Sequence, residues 1–183
     1  SNLIKRMCKI DNTHRGNVMS KRFYSGKTYS HATGHSCAFR QWRADSHCNL
    51  IHGYALQFEF TFGGDSLDER NWIVDFGDLG ELKSWLKHMF DHTYLVAHDD
   101  PEMATVQLLE EKGLIDMRMV SATGCERFAE MAFDKAEEIV RDKTNGRCFV
   151  QEVTVREHEH NSATVKLADY QAIRYTLDPE NNI

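Results

Sequence analysis

Nine consecutive residues, Ser46-His47-Cys48-Asn49-Leu50-Ile51-His52-Gly53-Tyr54, bring together a thiol, two imidazoles and a phenol. A thiol beside a cation ionises near neutral pH and becomes a base or nucleophile. Imidazole moves protons or ligates metal. A second group lies far along the chain at Phe90-Asp91-His92, where a carboxylate next to an imidazole suits proton relay. Glu157 closes the run Val153-Thr154-Val155-Arg156-Glu157. A carboxylate near a strand end adds to a plausible acid–base site. Together these residues point to acid–base chemistry on a small molecule.

The elements that must position them follow from periodicity. Apolar and polar residues alternate from Ala55 to Phe62, the mark of a half-buried strand. The reactive cluster therefore sits where a loop enters a sheet. Thr28 to Phe39 is a second strand, interrupted at Gly34, with His35, Cys37 and Phe39 on one face. Asp78 caps a helix whose stripe is Leu79, Leu82, Trp85, Leu86 and Met89, and this helix ends near Asp91-His92. Met103 to Lys112 is a short helix stopped at Gly113, and Met117 to Val120 a brief strand. Thr123 with Glu126 three positions on is a capping-box pattern. It opens a longer helix with a stripe of Phe128, Met131, Ala132, Ala136, Ile139 and Val140. Phe149–Glu157 and Ser162–Leu167 form a hairpin, and Ala172 to Tyr175 add a short strand. The order is α+β with an antiparallel sheet. Residues 1–27 are expected to be an N-terminal extension, and 28–183 a single domain.

Composition sets bounds on this. The chain has 183 residues, of which 41% are hydrophobic and 27% charged, enough for one cored domain. A net charge of -6 leaves no general basic footprint for nucleic acid. No apolar run approaches membrane-spanning length, and the first residues lack a secretory apolar stretch. Five scattered cysteines do not make a disulfide framework, so a reducing, cytoplasmic setting is expected. Ten histidines, several of them clustered at His31, His35, His47 and His52, hint at metal.

Four motifs in order resemble the 6-pyruvoyl-tetrahydropterin synthase / 6-carboxy-tetrahydropterin synthase family. Cys48-Asn49-Leu50-Ile51-His52-Gly53-Tyr54 is similar to its Cys-x-x-x-His-Gly-His. Val74 to Leu79, with Asp75-Phe76, is similar to its Asp-Phe motif. Leu86 to Leu95 holds a match to its Asp-His pair. Val153 to Ala163, with Glu157, is similar to its final hairpin. The resemblance implies a tunnelling fold: a four-stranded antiparallel sheet with two helices on one face, closing into a β-barrel as a trimer and stacking into a hexamer. It implies 7,8-dihydroneopterin triphosphate as substrate. The 6-carboxy branch turns this into 6-carboxy-5,6,7,8-tetrahydropterin, acetaldehyde and triphosphate, on the route to queuosine. The alternatives are 6-pyruvoyl-tetrahydropterin synthase and a catalytically silent pterin- or metal-binding paralogue. By resemblance, Cys48 is the base, Asp91 and His92 the relay, and Glu157 the pterin anchor. Thr123 and Glu126 are expected to contact substrate. The expected partners are this pterin and further copies of the chain, with neither nucleic acid nor membrane.

The chain departs from the family at the metal. The family holds zinc with three histidines, one from the first strand and two from His-Gly-His. Here His52 is kept, but Tyr54 stands at the second position. On the first strand either Phe39 or Cys37 takes the third place, depending on register. The metal is then lost, rebuilt, or replaced by a mixed site for several divalent ions. The expectation is a rebuilt divalent site, most simply zinc, held by His52, Cys37 and His47, with Cys48 as an alternative ligand.

Overall fold

The structure, a computed structural model, describes residues 20–168. It contains seven strands: β1 (Phe23–Tyr29), β2 (His35–Phe39), β3 (His52–Gly64), β4 (Thr93–Ala97), β5 (Met117–Val120), β6 (Phe149–His158) and β7 (Asn161–Lys166). Three α-helices accompany them: α1 (Gly80–Phe90), α2 (Met103–Glu111) and α3 (Cys125–Lys143).

β3 is the axis. Its alternation puts Leu56, Phe58, Phe60 and Phe62 inside, all essentially without exposure. One edge of β3 pairs with two strands in succession, β2 along His52–Leu56 and β1 along Phe58–Gly64. The other edge pairs with β6, which pairs with β7. The strand read as Thr28–Phe39 is thus two strands broken by a single 3-10 turn, His31–Thr33. Gly34 closes that turn in the left-handed region at φ 82°, where glycine carries no Cβ penalty. β1 begins at Phe23, within the stretch read from sequence as an extension.

β1, β3, β6 and β7 form the expected four-stranded antiparallel sheet. β4 and β5 extend it in parallel through β2. β4, Thr-Tyr-Leu-Val-Ala, is buried at every position. A strand buried on both faces has no alternation to reveal it, so the sequence reading passed over it. α1 and α3 share one core with the sheet. Phe90 of α1 meets Phe128 of α3 edge-on at 5.4 Å and Phe58 of β3 at 4.8 Å.

The capping-box reading does not hold. Gly124, at φ 114°, caps α3 without a side-chain bond. The Thr123 hydroxyl instead donates to the Arg40 carbonyl at 2.7 Å. Ala172 to Tyr175 lie outside the described residues. No described helix is long and apolar enough to cross a membrane.

Candidate active site

Only some of the candidate residues, among them Cys48, His52 and Glu157, lie on or next to β2, β3, β6 and the start of α3, which meet at one end of the core. Cys48 sits in a 3-10 turn, His47–Asn49, that feeds β3. The Ser46 hydroxyl caps this turn, accepting from the Cys48 N–H at 3.3 Å. Arg40 ties the turn to the body of the protein. Its guanidinium donates to both carboxylate oxygens of Asp100 at 2.8 and 2.9 Å and to Asn49 Oδ1 at 2.7 Å. The Asp100 side chain is 1% exposed, and the Arg40 guanidinium holds its carboxyl below the usual carboxylate range. The Gln41 N–H donates to the Cys48 carbonyl at 2.9 Å. Cys48 is half-buried, and Cys37, Cys125 and Cys148 are buried free thiols.

Tyr54 and Glu157 come from neighbouring strands, β3 and the bulged end of β6. Tyr54 lies on the inward face of β3, two residues before Leu56. Phe58 pairs with Val155. Beyond Arg156 the β6 register shifts, leaving Glu157 as the extra residue of a bulge. The Glu157 carboxylate meets the Cys125 thiol, while His158 lies 6.0 Å from the Tyr54 ring. Burial raises the Tyr54 phenol above its ordinary value, and the charges of Glu157, Cys48 and Cys125 raise it further. Cys125, the first residue of α3, is pushed up by burial and by its contact with Glu157. Sequence reading missed it. Its signal was position alone, a thiol opening the long helix next to Thr123 and Glu126.

Of the other expected substrate contacts, Thr123 is half-buried beside a hollow it shares with Gln41 and Trp42. Glu126 is exposed on the first turn of α3. Asp91 and His92 do pair, with Asp91 Oδ1 2.6 Å from His92 Nδ1. His92 has a left-handed backbone at φ 57°, and its N–H donates to the Ser36 carbonyl at 2.7 Å. This turns the ring outward, 87% exposed, onto the surface rather than into the Cys48 site.

The expected metal ligands do not assemble. Among the described residues no group of three His, Cys, Asp or Glu side chains is placed to hold a metal ion. In the β2–β3 ladder Phe39 lies opposite His52, and Cys37 opposite Tyr54. Cys37 is buried and its thiol is pushed up to about 12 by desolvation. His47 is exposed on the turn. His52 alone keeps the posture of a ligand, its Nδ1 2.7 Å from the Leu50 carbonyl. The residues present do not fit the family's metal.

The family model described as 6-pyruvoyl tetrahydropterin synthase matches residues 28–168. The chain belongs to this family. Relatives named 6-carboxy-5,6,7,8-tetrahydropterin synthase include one from Rickettsia conorii, 32% identical over 57 residues, or 31% of this chain and 41% of the relative. Another, from Aquifex aeolicus, is 25% identical over 79 residues, 43% of this chain and 49% of the relative. The alignments thus span less than half of these relatives' length. Among solved structures, an uncharacterized protein from Wolinella succinogenes superposes with a TM-score of 0.65 at 16% identity, covering 81% of this chain and 98% of that one. The Plasmodium falciparum 6-pyruvoyl tetrahydropterin synthase gives 0.57 at 14% identity, covering 80% and 99%. At these identities the structures establish the fold, which is the tunnelling fold of the family.

Proposed function

We propose that the protein is a lyase of the 6-carboxytetrahydropterin synthase type acting on 7,8-dihydroneopterin triphosphate. The observation that carries this reading is the position of Glu157. It stands at the mouth of the core, facing the start of α3 and coupled to Tyr54 and Cys125. A carboxylate there accepts two N–H groups from the pterin edge in charge-assisted hydrogen bonds. Cys48, held by the Arg40–Asn49 anchor, takes a proton from the hydroxylated side chain of the substrate. The exposed Asp91–His92 pair is available to the site of a neighbouring copy in the expected hexamer. Among the described residues β1 pairs with β3 alone, and Phe23, Tyr24, Trp72 and Phe76 line an exposed apolar groove; both support assembly. A cytoplasmic location belongs to the same reading.

A second reading, pterin binding without turnover, is favoured by Phe39 at a position where the family uses a histidine. Incubation with 7,8-dihydroneopterin triphosphate and identification of products by mass decides between the two. The 6-carboxy product with acetaldehyde supports the lyase, and the 6-pyruvoyl product moves the chain to the other branch. Unchanged substrate that still co-purifies with the protein supports the binding reading.

A further inference from the structure

We infer that this chain holds no divalent ion at the family's metal position, because an aromatic triangle of Phe39, His52 and Tyr54 fills it. The ring centroids are 5.0 Å apart for Phe39–His52, 5.5 Å for His52–Tyr54 and 6.3 Å for Phe39–Tyr54. Three imidazoles around a tetrahedral zinc, with Zn–N bonds of about 2.0–2.1 Å, have centroids roughly 5 Å apart. The triangle therefore has close to the dimensions of a three-histidine site while lacking its chemistry. Phenyl offers no lone pair. Phe39 is fully buried and meets Phe128 edge-on, at 5.0 Å and 90°, so it belongs to the packing of sheet against α3. It does not swing away to admit another ligand without opening a cavity.

The donors expected to replace the missing histidines, Cys37 and His47, lie elsewhere. Cys37 is two residues earlier on β2, opposite Tyr54, and His47 sits on the solvent side of the turn. Gly53, between His52 and Tyr54, fixes how closely the strands approach. A Cβ there would come within 2.5 Å of the Cys37 carbonyl oxygen. The backbone is thus held tight where a rebuilt site would need it to shift. His52 keeps a ligand's tautomeric arrangement, Nδ1–H to a carbonyl and Nε2 free, as metal-bound imidazoles do. Two substitutions separate the present arrangement from a complete ligand set.

This inference concerns metal content and stands whichever function is correct. Untagged protein is produced in zinc-supplemented medium, purified without chelator and analysed for metals by mass spectrometry. The expected result is far less than one divalent ion per chain, unchanged in His52→Ala. The double variant Phe39→His/Tyr54→His is expected to gain one zinc per chain and to lose it when His52→Ala is added. If the double variant fails to fold, the wild-type and His52→Ala contents still decide. One firmly held divalent ion per wild-type chain, lost in His52→Ala, would overturn the inference. So would a double variant that is folded by circular dichroism yet takes up no added zinc.

Discussion

Phe39 and His52 face each other across the β2–β3 ladder with ring centroids 5.0 Å apart, yet they belong to different environments. Phe39 is fully buried against Phe128, whereas His52 is half-exposed at the mouth of the core. Truncating a buried phenylalanine removes its transfer energy and leaves a cavity. Phe39→Ala is expected to cost about 3–5 kcal/mol of stability. His52→Ala is expected to cost within roughly 1 kcal/mol, as for a partly exposed side chain with one local hydrogen bond. Urea denaturation of the two variants checks the contrast.

Arg40, half-buried, and Asp100, buried, form the ion pair that anchors the Cys48 turn. Removing one partner of such a pair strands the other charge, so Arg40→Ala is expected to lose about 3–5 kcal/mol. The pH dependence has a definite sign. Asp100 is held below its ordinary value by Arg40, so its contribution is present above the unfolded carboxylate value near ~3.9. It is lost as the pH falls through the lower folded value. Wild type is therefore expected to lose stability more steeply than Arg40→Ala below about pH 4. Thermal melts across an acid series measure this.

The four described thiols divide sharply. Burial pushes Cys37 up to about 12 and Cys148 up to about 11, and raises Cys125 as well. Cys48 is half-buried on a surface turn. Thiolate fraction and access together govern alkylation. In the native protein at mild alkaline pH, Cys48 is expected to be alkylated first among these four. Peptide mass spectrometry of briefly treated protein reads the order, and early labelling of Cys125 would contradict the burial described.

Gly53 lies on β3 against the backbone of β2. Because a Cβ would collide with the Cys37 carbonyl, Gly53→Ala is expected to cost about 1–3 kcal/mol through overpacking. The control is Gly80→Ala, where a Cβ meets nothing within 4 Å. It is expected to be neutral or mildly stabilising, since it lies on a helix.

Much of this was legible in the sequence for physical reasons. The period-two pattern at Ala55–Phe62 marked β3, and the helical stripes of α1 and α3 marked the face that packs on it. Leu82, Leu86, Phe128, Ala132 and Ile139 are buried as their spacing required. β4 was illegible because burial on both faces erases alternation. β1 was hidden because its residues are mostly exposed and polar, and the strand is defined by its partner β3. Which of Phe39 and Cys37 faces His52 needed the cross-strand register, since a slip of two residues keeps the same face. Thr123 looked like a cap because its spacing to Glu126 fits one, but its hydroxyl is committed to the Arg40 carbonyl, a tertiary contact 83 positions away.

The central claim is that the mouth of the core, with Glu157 in it, is a pterin site. The direct measurement is equilibrium binding of 7,8-dihydroneopterin triphosphate to wild type and to Glu157→Gln, with matched melting temperatures as the control for folding. Losing a hydrogen bond to a charged group is worth about 1.5–3 kcal/mol, which corresponds to roughly a ten- to hundredfold rise in Kd. A rise of that size in the folded variant is the expected result. Equal affinity in the two proteins, or no binding by wild type, would contradict the claim.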